Sequence, residues 1–153
     1  LEEKKAIGIT EVADPKVYNS KFYLTDGTPK KLDDENATDK DGNLIKNVDG
    51  SQHVNYGLKT LLKNEEKQTA DHLLSRYDWL IVRKAEKGTA IPTEITTFRD
   101  AVRTACATRE TEIDNCTDVA ALVTLYSSTE QEDGTQKPNM TQYPNDPNIQ
   151  VIK

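Results

Sequence analysis

Residues 74–98, LSRYDWLIVRKAEKGTAIPTEITTF, determine the predicted fold because they join two helical patterns. The apolar cluster at 79–82 is followed by charged residues, and Gly88 stands where a C-terminal helix cap is expected. Pro92 breaks the pattern, and Thr93 is the predicted N-cap of the next helix. The stretch therefore predicts a helical hairpin.

Apolar residues on both sides of this stretch recur at the spacing of an α-helix. The first stripe consists of Val54, Leu58, Leu61, Leu62, Ala70, Leu73, Leu74 and Tyr77. The second stripe consists of Ile95, Phe98, Val102, Ala105, Ile113 and Cys116. Residues 63–69 contain no apolar side chain, so the first helix is either solvated there or bridges two packed ends.

A short third helix is predicted after the second stripe. Thr117 is its predicted cap, and Asp118 falls in its first turn. Its apolar face consists of Val119, Leu122, Val123 and Tyr126. Residues 53–127 therefore form the predicted helical hairpin module.

The N-terminal part, residues 1–52, has strand and turn character. Residues 17–24 include β-branched and aromatic side chains and are followed by Asp26-Gly27, which favours a hairpin. Residues 33–50 carry six acidic side chains but few apolar ones, so this segment is predicted to be a loop that becomes ordered only against a partner. The Asp-Gly pairs show no fixed period, and no internal repeat is predicted.

Residues 128–153 are predicted to be an extended arm. Gly134 and three prolines suppress helix, and few apolar side chains are present. Alone in water this arm should be mobile, and a neighbouring protein would accept Tyr143 and the apolar end at 149–152. The predicted fold class is mainly α, with a small turn-rich β part and extended N- and C-terminal arms.

Composition excludes several classes of protein. The chain has 153 residues, of which 35% are hydrophobic, so its core must be small. Its 20 Lys and Arg side chains are outnumbered by 26 Asp and Glu, which disfavours nucleic acid as a ligand. A basic strip at residues 83–87 is interpreted as a solvated face, with a local nucleic-acid contact as the alternative. No apolar stretch reaches the about 18 residues that cross a bilayer, and no signal-like segment is recognised, although the chain lacks an initiator Met.

The sequence offers little catalytic or metal-binding chemistry. Cys106 and Cys116 are ten positions apart, about 15 Å along one helix, and are interpreted as buried apolar groups. His53 and His72 lack metal-ligand spacing, and His72 is expected to be half-buried on a helix. The segment around Gly42 lacks calcium ligands at both ends of an EF-hand loop, which favours a plain turn over a calcium site. We therefore predict no enzyme, no cofactor and no small-molecule substrate.

Several short motifs in residues 58–126 occur in a familiar order. A helix ends in Asp78-Trp79, a connector runs from Gly88 to Ile91-Pro92, and the next helix opens with Phe98-Arg99. This pattern resembles the C-terminal helical module of tailed-bacteriophage tail proteins, particularly tail-fibre-assembly-like and small virion structural proteins of marine and cyanobacterial phages. The resemblance covers about half of the chain and carries no catalytic residues.

The resemblance implies a virion structural protein, made in the host cytoplasm and associated with the tail at the baseplate, tube or fibre. Its partners would be other phage structural proteins in a multi-copy assembly. The alternatives are a tail-fibre assembly chaperone absent from the mature particle and a capsid decoration protein; a small cell-wall hydrolase would need paired carboxylates in a cleft.

Two sets of residues follow from this interpretation. The candidate contacts between subunits are Phe22, Tyr23, Tyr143, Ile149 and Ile152. The expected core of the hairpin consists of Leu73, Leu74, Trp79, Phe98 and Val102.

Overall fold

The two apolar stripes form long helices that lie side by side. In the computed structural model, which describes residues 18–147, the helices are α1 (Leu58–Ser75), α2 (Asp78–Lys87), α3 (Thr93–Asp114) and α4 (Val119–Leu125). Strand β1 (Glu35–Asn36) pairs antiparallel with β2 (Val54–Asn55), and β3 (Ser128–Glu130) pairs antiparallel with β4 (Gln136–Pro138). The chain is therefore mainly α with a small β part, as predicted. No helix within 18–147 combines the length and the apolar character needed to cross a membrane.

The hairpin of α1 and α3 has two separate apolar clusters. The first core cluster contains Phe22, Leu58, Leu62, Ile113, Cys116, Val119, Leu122 and Met140. The second core cluster contains Ala70, Tyr77, Leu80, Ile95, Phe98, Val102 and Cys106. The first joins the start of α1 to the end of α3, and the second joins the opposite ends, so the two helices run antiparallel. Of the expected core residues, Phe98 and Val102 are buried in the second cluster, and Leu73, Leu74 and Trp79 pack against it while partly exposed.

Of three helix ends for which a cap was predicted, one agrees with the structure and two differ from it. Gly88 caps α2 with a left-handed φ of 68°, as predicted. Helix α3 begins directly after Pro92, whose carbonyl accepts the Ile95 and Thr96 amides, so Thr93 is its first residue rather than its cap. Asp118, not Thr117, caps α4, because its carboxylate accepts the Ala121 amide at 2.7 Å.

The start of α1 is capped by the turn-rich segment that precedes β1. The Leu58 and Lys59 amides donate to the carbonyls of Lys31 and Leu32, at 2.9 and 3.0 Å. The Asp34 carboxylate accepts the Gly57 amide at 2.8 Å. A Cβ on Gly57 would lie 2.4 Å from the Asp33 carbonyl carbon, so this close approach of two backbones requires glycine. Val54, predicted to belong to the helical stripe, instead lies in β2, just before this joint.

The Asp-Gly turns share an eight-residue motif, although they recur without a fixed period, as predicted. We call each copy an octad; the four copies are residues 23–30, 38–45, 46–53 and 130–137. In every copy the second residue's amide donates to the sixth residue's carbonyl, at 2.8–2.9 Å. The glycine at the fifth position has φ between 79° and 86°, a left-handed conformation that glycine adopts without strain. In the first octad a single antiparallel bridge between Tyr23 and Pro29 forms the turn predicted at Asp26-Gly27, whereas residues 20–22 form a turn instead of a strand.

Residues 35–55, which we call the turn lobe, are organised without a partner. Three backbone bonds close a ring, from Ile45 N to Ala37 O, from His53 N to Ile45 O, and from Ala37 N to His53 O, at 2.9, 3.0 and 2.9 Å. The Gln52 side-chain nitrogen donates toward the same three carbonyls, at 3.3, 2.9 and 2.8 Å. The prediction that residues 33–50 become ordered only against a partner is therefore wrong, because hydrogen bonds between octads replace the missing apolar core.

Replacing Gln52 tests whether this ring holds the turn lobe together. We expect Gln52→Ala to destabilise the lobe by about 1 kcal/mol, because three carbonyls lose their shared donor. Hydrogen exchange should accelerate at the Ala37, Ile45 and His53 amides. Gln136, at the equivalent position of the last octad, makes no side-chain hydrogen bond within residues 18–147, so Gln136→Ala is the matched control. Equal exchange at these amides in both variants would contradict the ring's role.

Candidate functional site

A buried ion pair lies between the two core clusters. Glu66, only 5% exposed, occupies the polar stretch of α1 that the sequence left either solvated or bridging. Its carboxylate receives two bonds from Arg109 on α3, Nε to Oε2 at 2.6 Å and Nη2 to Oε1 at 3.0 Å. The Tyr126 hydroxyl, just past α4, donates to Oε1 at 3.0 Å. The polar stretch therefore bridges two packed ends through a two-pronged Arg–Glu contact.

The same ion pair holds the C-terminal strap, by which we mean residues 139–147. Arg109 Nη1 donates to the Thr141 carbonyl, and the Thr141 amide and hydroxyl donate to Glu112 at 3.0 and 2.5 Å. The Tyr143 hydroxyl donates to the Glu66 carbonyl at 3.0 Å, and its ring lies 5.0 Å from the Arg109 guanidinium. The strap thus crosses both long helices.

Apolar and polar anchors at its two ends complete the attachment of the strap. Met140 is buried in the first core cluster. Asp146 pairs with Arg76 at 2.7 Å and accepts a hydrogen bond from the Tyr77 hydroxyl, where α1 gives way to α2. The prediction that the tail is mobile alone in water is therefore wrong for residues 128–147, because this chain's own helices supply the contacts assigned to a neighbour.

The electrostatics make this cluster a structural centre. Burial acts to raise the pKa of Glu66, but the bond and charge of Arg109, with the two tyrosine hydroxyls, outweigh it and hold that pKa below its ordinary value. Burial raises the pKa of the Cys106 thiol, and the nearby Glu110 carboxylate adds to this. Glu66 therefore stays ionised with its oxygens engaged, and Cys106 stays protonated and weakly nucleophilic.

The acidic side chains of the octads serve the turns. Asp26, Asp49 and Asp133 each accept the backbone amide two residues ahead, at 2.8–2.9 Å, and these bonds contribute to lowering their pKa values. In the second octad Asp39 takes this role and accepts the Asn43 amide at 2.9 Å. Among residues 18–147, no group of three or more His, Cys, Asp or Glu side chains is arranged to hold a metal ion. His72, expected half-buried, is exposed on α1.

The candidate contacts between subunits have different environments. Phe22 is 2% exposed inside the first core cluster, so its prediction as a contact is wrong: packing within this chain consumes its surface. Tyr23 packs partly against the same cluster. Tyr143 belongs to the strap, and Ile149 and Ile152 lie outside the described residues.

Several apolar side chains face the solvent within the described range, among them Ile81 and Val82 on α2, and others form two surfaces on or beside the octads. The turn lobe exposes Leu44, Ile45 and Val48, which the sequence identified only as the few apolar groups of a loop. Between the first octad and α1 lies a groove of about 340 Å³, bordered by Leu24, Pro29, Tyr56, Leu58 and Leu61. Exposed apolar groups on hydrogen-bonded backbone are the features expected of a protein contact. These surfaces are the candidate functional site.

Breaking the buried ion pair should destabilise the whole helical body. We expect Glu66→Gln to lower the free energy of unfolding by about 3–5 kcal/mol, because Arg109 then remains buried without its carboxylate. Glu65→Gln, one residue earlier, removes only an exposed contact with Lys21 and should change little. Chemical denaturation of the three proteins measures both effects.

The pH dependence of the same variants gives a second test. Because the pKa of folded Glu66 lies below its ordinary value of 4.5, its contribution is complete above pH 4.5 and disappears as the pH falls through the lowered value. The stability difference between the wild type and Glu66→Gln should therefore shrink in acid. A difference that stays constant down to low pH would contradict the ion pair's role.

Loosening the strap should have a local effect. We expect Tyr143→Phe to cost about 1 kcal/mol, because the Glu66 carbonyl loses a donor. Hydrogen exchange should accelerate over residues 139–147. The exposed Tyr56 makes no hydroxyl hydrogen bond within the described range, so Tyr56→Phe is the control. If the Tyr143 hydroxyl did not hold the strap, the amides of residues 139–147 would exchange at the wild-type rate in both variants.

Comparison with known proteins found no relative of this chain. The chain matches no family model, no curated protein and no solved structure.

Proposed function

We propose that this chain is a virion structural protein of a tailed bacteriophage that holds neighbouring tail subunits together. The observation that carries the proposal is the turn lobe, in which hydrogen-bonded turns expose Leu44, Ile45 and Val48 to solvent. Three apolar side chains in a lobe without an apolar core of its own suggest an intermolecular contact. The phage setting comes from the resemblance of residues 58–126.

The preorganised turn lobe favours a structural role. Contacts made by a segment that is already ordered avoid much of the entropic cost of binding. The strap already binds this chain's own helices. We therefore assign the contact with neighbouring subunits to the turn lobe rather than to the C-terminal arm. Hydrogen bonds from the start of α1 to residues 31–34 also connect the lobe to the helical body. A partner that binds the lobe is therefore attached to the whole helical body.

The location of the protein in purified particles tests the proposal. We expect mass spectrometry of protease-treated particles of the phage that encodes this chain to detect it in fixed proportion to the major tail protein. Antibody labelling in electron micrographs should place it on the tail. Its presence in infected cells but not in mature particles would favour the assembly chaperone, and labelling confined to the head would favour the capsid decoration protein.

A further inference from the structure

The four octads share one backbone geometry but not one surface. Their third position, at the tip of the turn, holds Thr25, Lys40, Val48 and Glu132. Only Val48 is apolar, and it is fully exposed. Since three polar residues serve the same turn, the backbone does not require valine there. The exposed Val48 side chain is therefore available for a contact outside its own turn.

The groove beside the first octad has the complementary shape. Its walls include Leu24, Tyr56 and Leu61, which are 49%, 62% and 46% exposed although they face one concave site. Lys30 and Lys31 stand at its border. Within residues 18–147, the Lys30 ammonium donates to the Ser20 carbonyl at 2.6 Å, and the Lys31 ammonium pairs with the Glu35 carboxylate at 2.9 Å. The Lys31–Glu35 pair is exposed and exchanges partners at little cost.

We propose that the Val48 tip of one copy of this chain inserts into the groove of a second copy. The cavity of about 340 Å³ can accept a valine side chain. Asp49, next to Val48, is an exposed carboxylate that suits the lysines at the groove's border. In this contact the apolar Val48 side chain lies in an apolar groove, and the acidic Asp49 lies near the lysines at the border of that groove.

The tip and the groove are different surfaces of one chain. The assembly closes when two copies pair tip to groove reciprocally or when a ring forms, and any open assembly keeps one free tip and one free groove at its ends. The contact is small, and interfaces much below about 1,000 Å² are weak and transient. Self-association should therefore depend on concentration and salt, and it does not require the phage setting of the proposed function.

Complementation between two variants tests the proposal. Val48→Lys gives the tip the residue found in the second octad, so the turn should still fold. Leu61→Glu places a carboxylate in the groove at an exposed helix position. Sedimentation velocity of the full chain at increasing concentration should show wild-type association, and each variant alone should stay monomeric. An equimolar mixture should form dimers and nothing larger, because only one intact tip and one intact groove remain.

Val82→Lys is the matched control. Val82 is exposed on α2, outside both surfaces, so this variant should associate like the wild type. Circular dichroism and thermal melting should show that all variants fold. A wild type that remains monomeric at every concentration, or a mixture that fails to form dimers, would overturn the proposal. Loss of association in Val82→Lys equal to that in Val48→Lys would also overturn it.

Discussion

The Glu66–Arg109 ion pair is the contact on which the rest of the helical body depends. The polar stretch 63–69 divides the apolar face of α1, so the hairpin cannot close on one continuous core. The ion pair fills this gap, joins α1 to α3, and presents donors and acceptors to Tyr126 and the strap. A buried ion pair contributes modest net stability, so we infer that its main effect is to fix the register of these segments.

Two small clusters and one polar centre explain how a chain with few hydrophobic residues orders so much of its length. Met140 and Tyr143 attach the strap to the first and second clusters, so the C-terminal segment spans the gap between them. The turn lobe uses a different solution, in which bonds between octads and a shared glutamine donor replace apolar burial. The helical body and the lobe meet where residues 31–34 cap α1.

Local sequence patterns predicted the local structure, but they could not predict contacts between residues that are distant in the sequence. The helical stripes and Gly88 gave the hairpin because periodicity and capping act within a few residues. The strap depends on Tyr143 meeting Glu66, 77 residues away, which no local pattern contains. Asp41-Gly42 and Asp49-Gly50 are eight residues apart, but the first and last octads do not follow that spacing, so the shared motif was not recognised from its period. The sequence showed that the lobe has few apolar residues, but it did not predict that the side chains of these residues would be exposed on ordered turns.

The internal contacts of the strap change where an external partner can bind. A protein with few apolar side chains was expected to leave its ends for neighbours, yet Phe22 and Met140 are buried in its own first core cluster. Exposed apolar side chains lie on the turn lobe, in the groove beside the first octad, and on α2 at Ile81 and Val82. The first two surfaces rest on hydrogen-bonded turns, whose geometry is retained when the side chain at the tip changes, as the four octads demonstrate. Selection can therefore alter the contact without altering the fold.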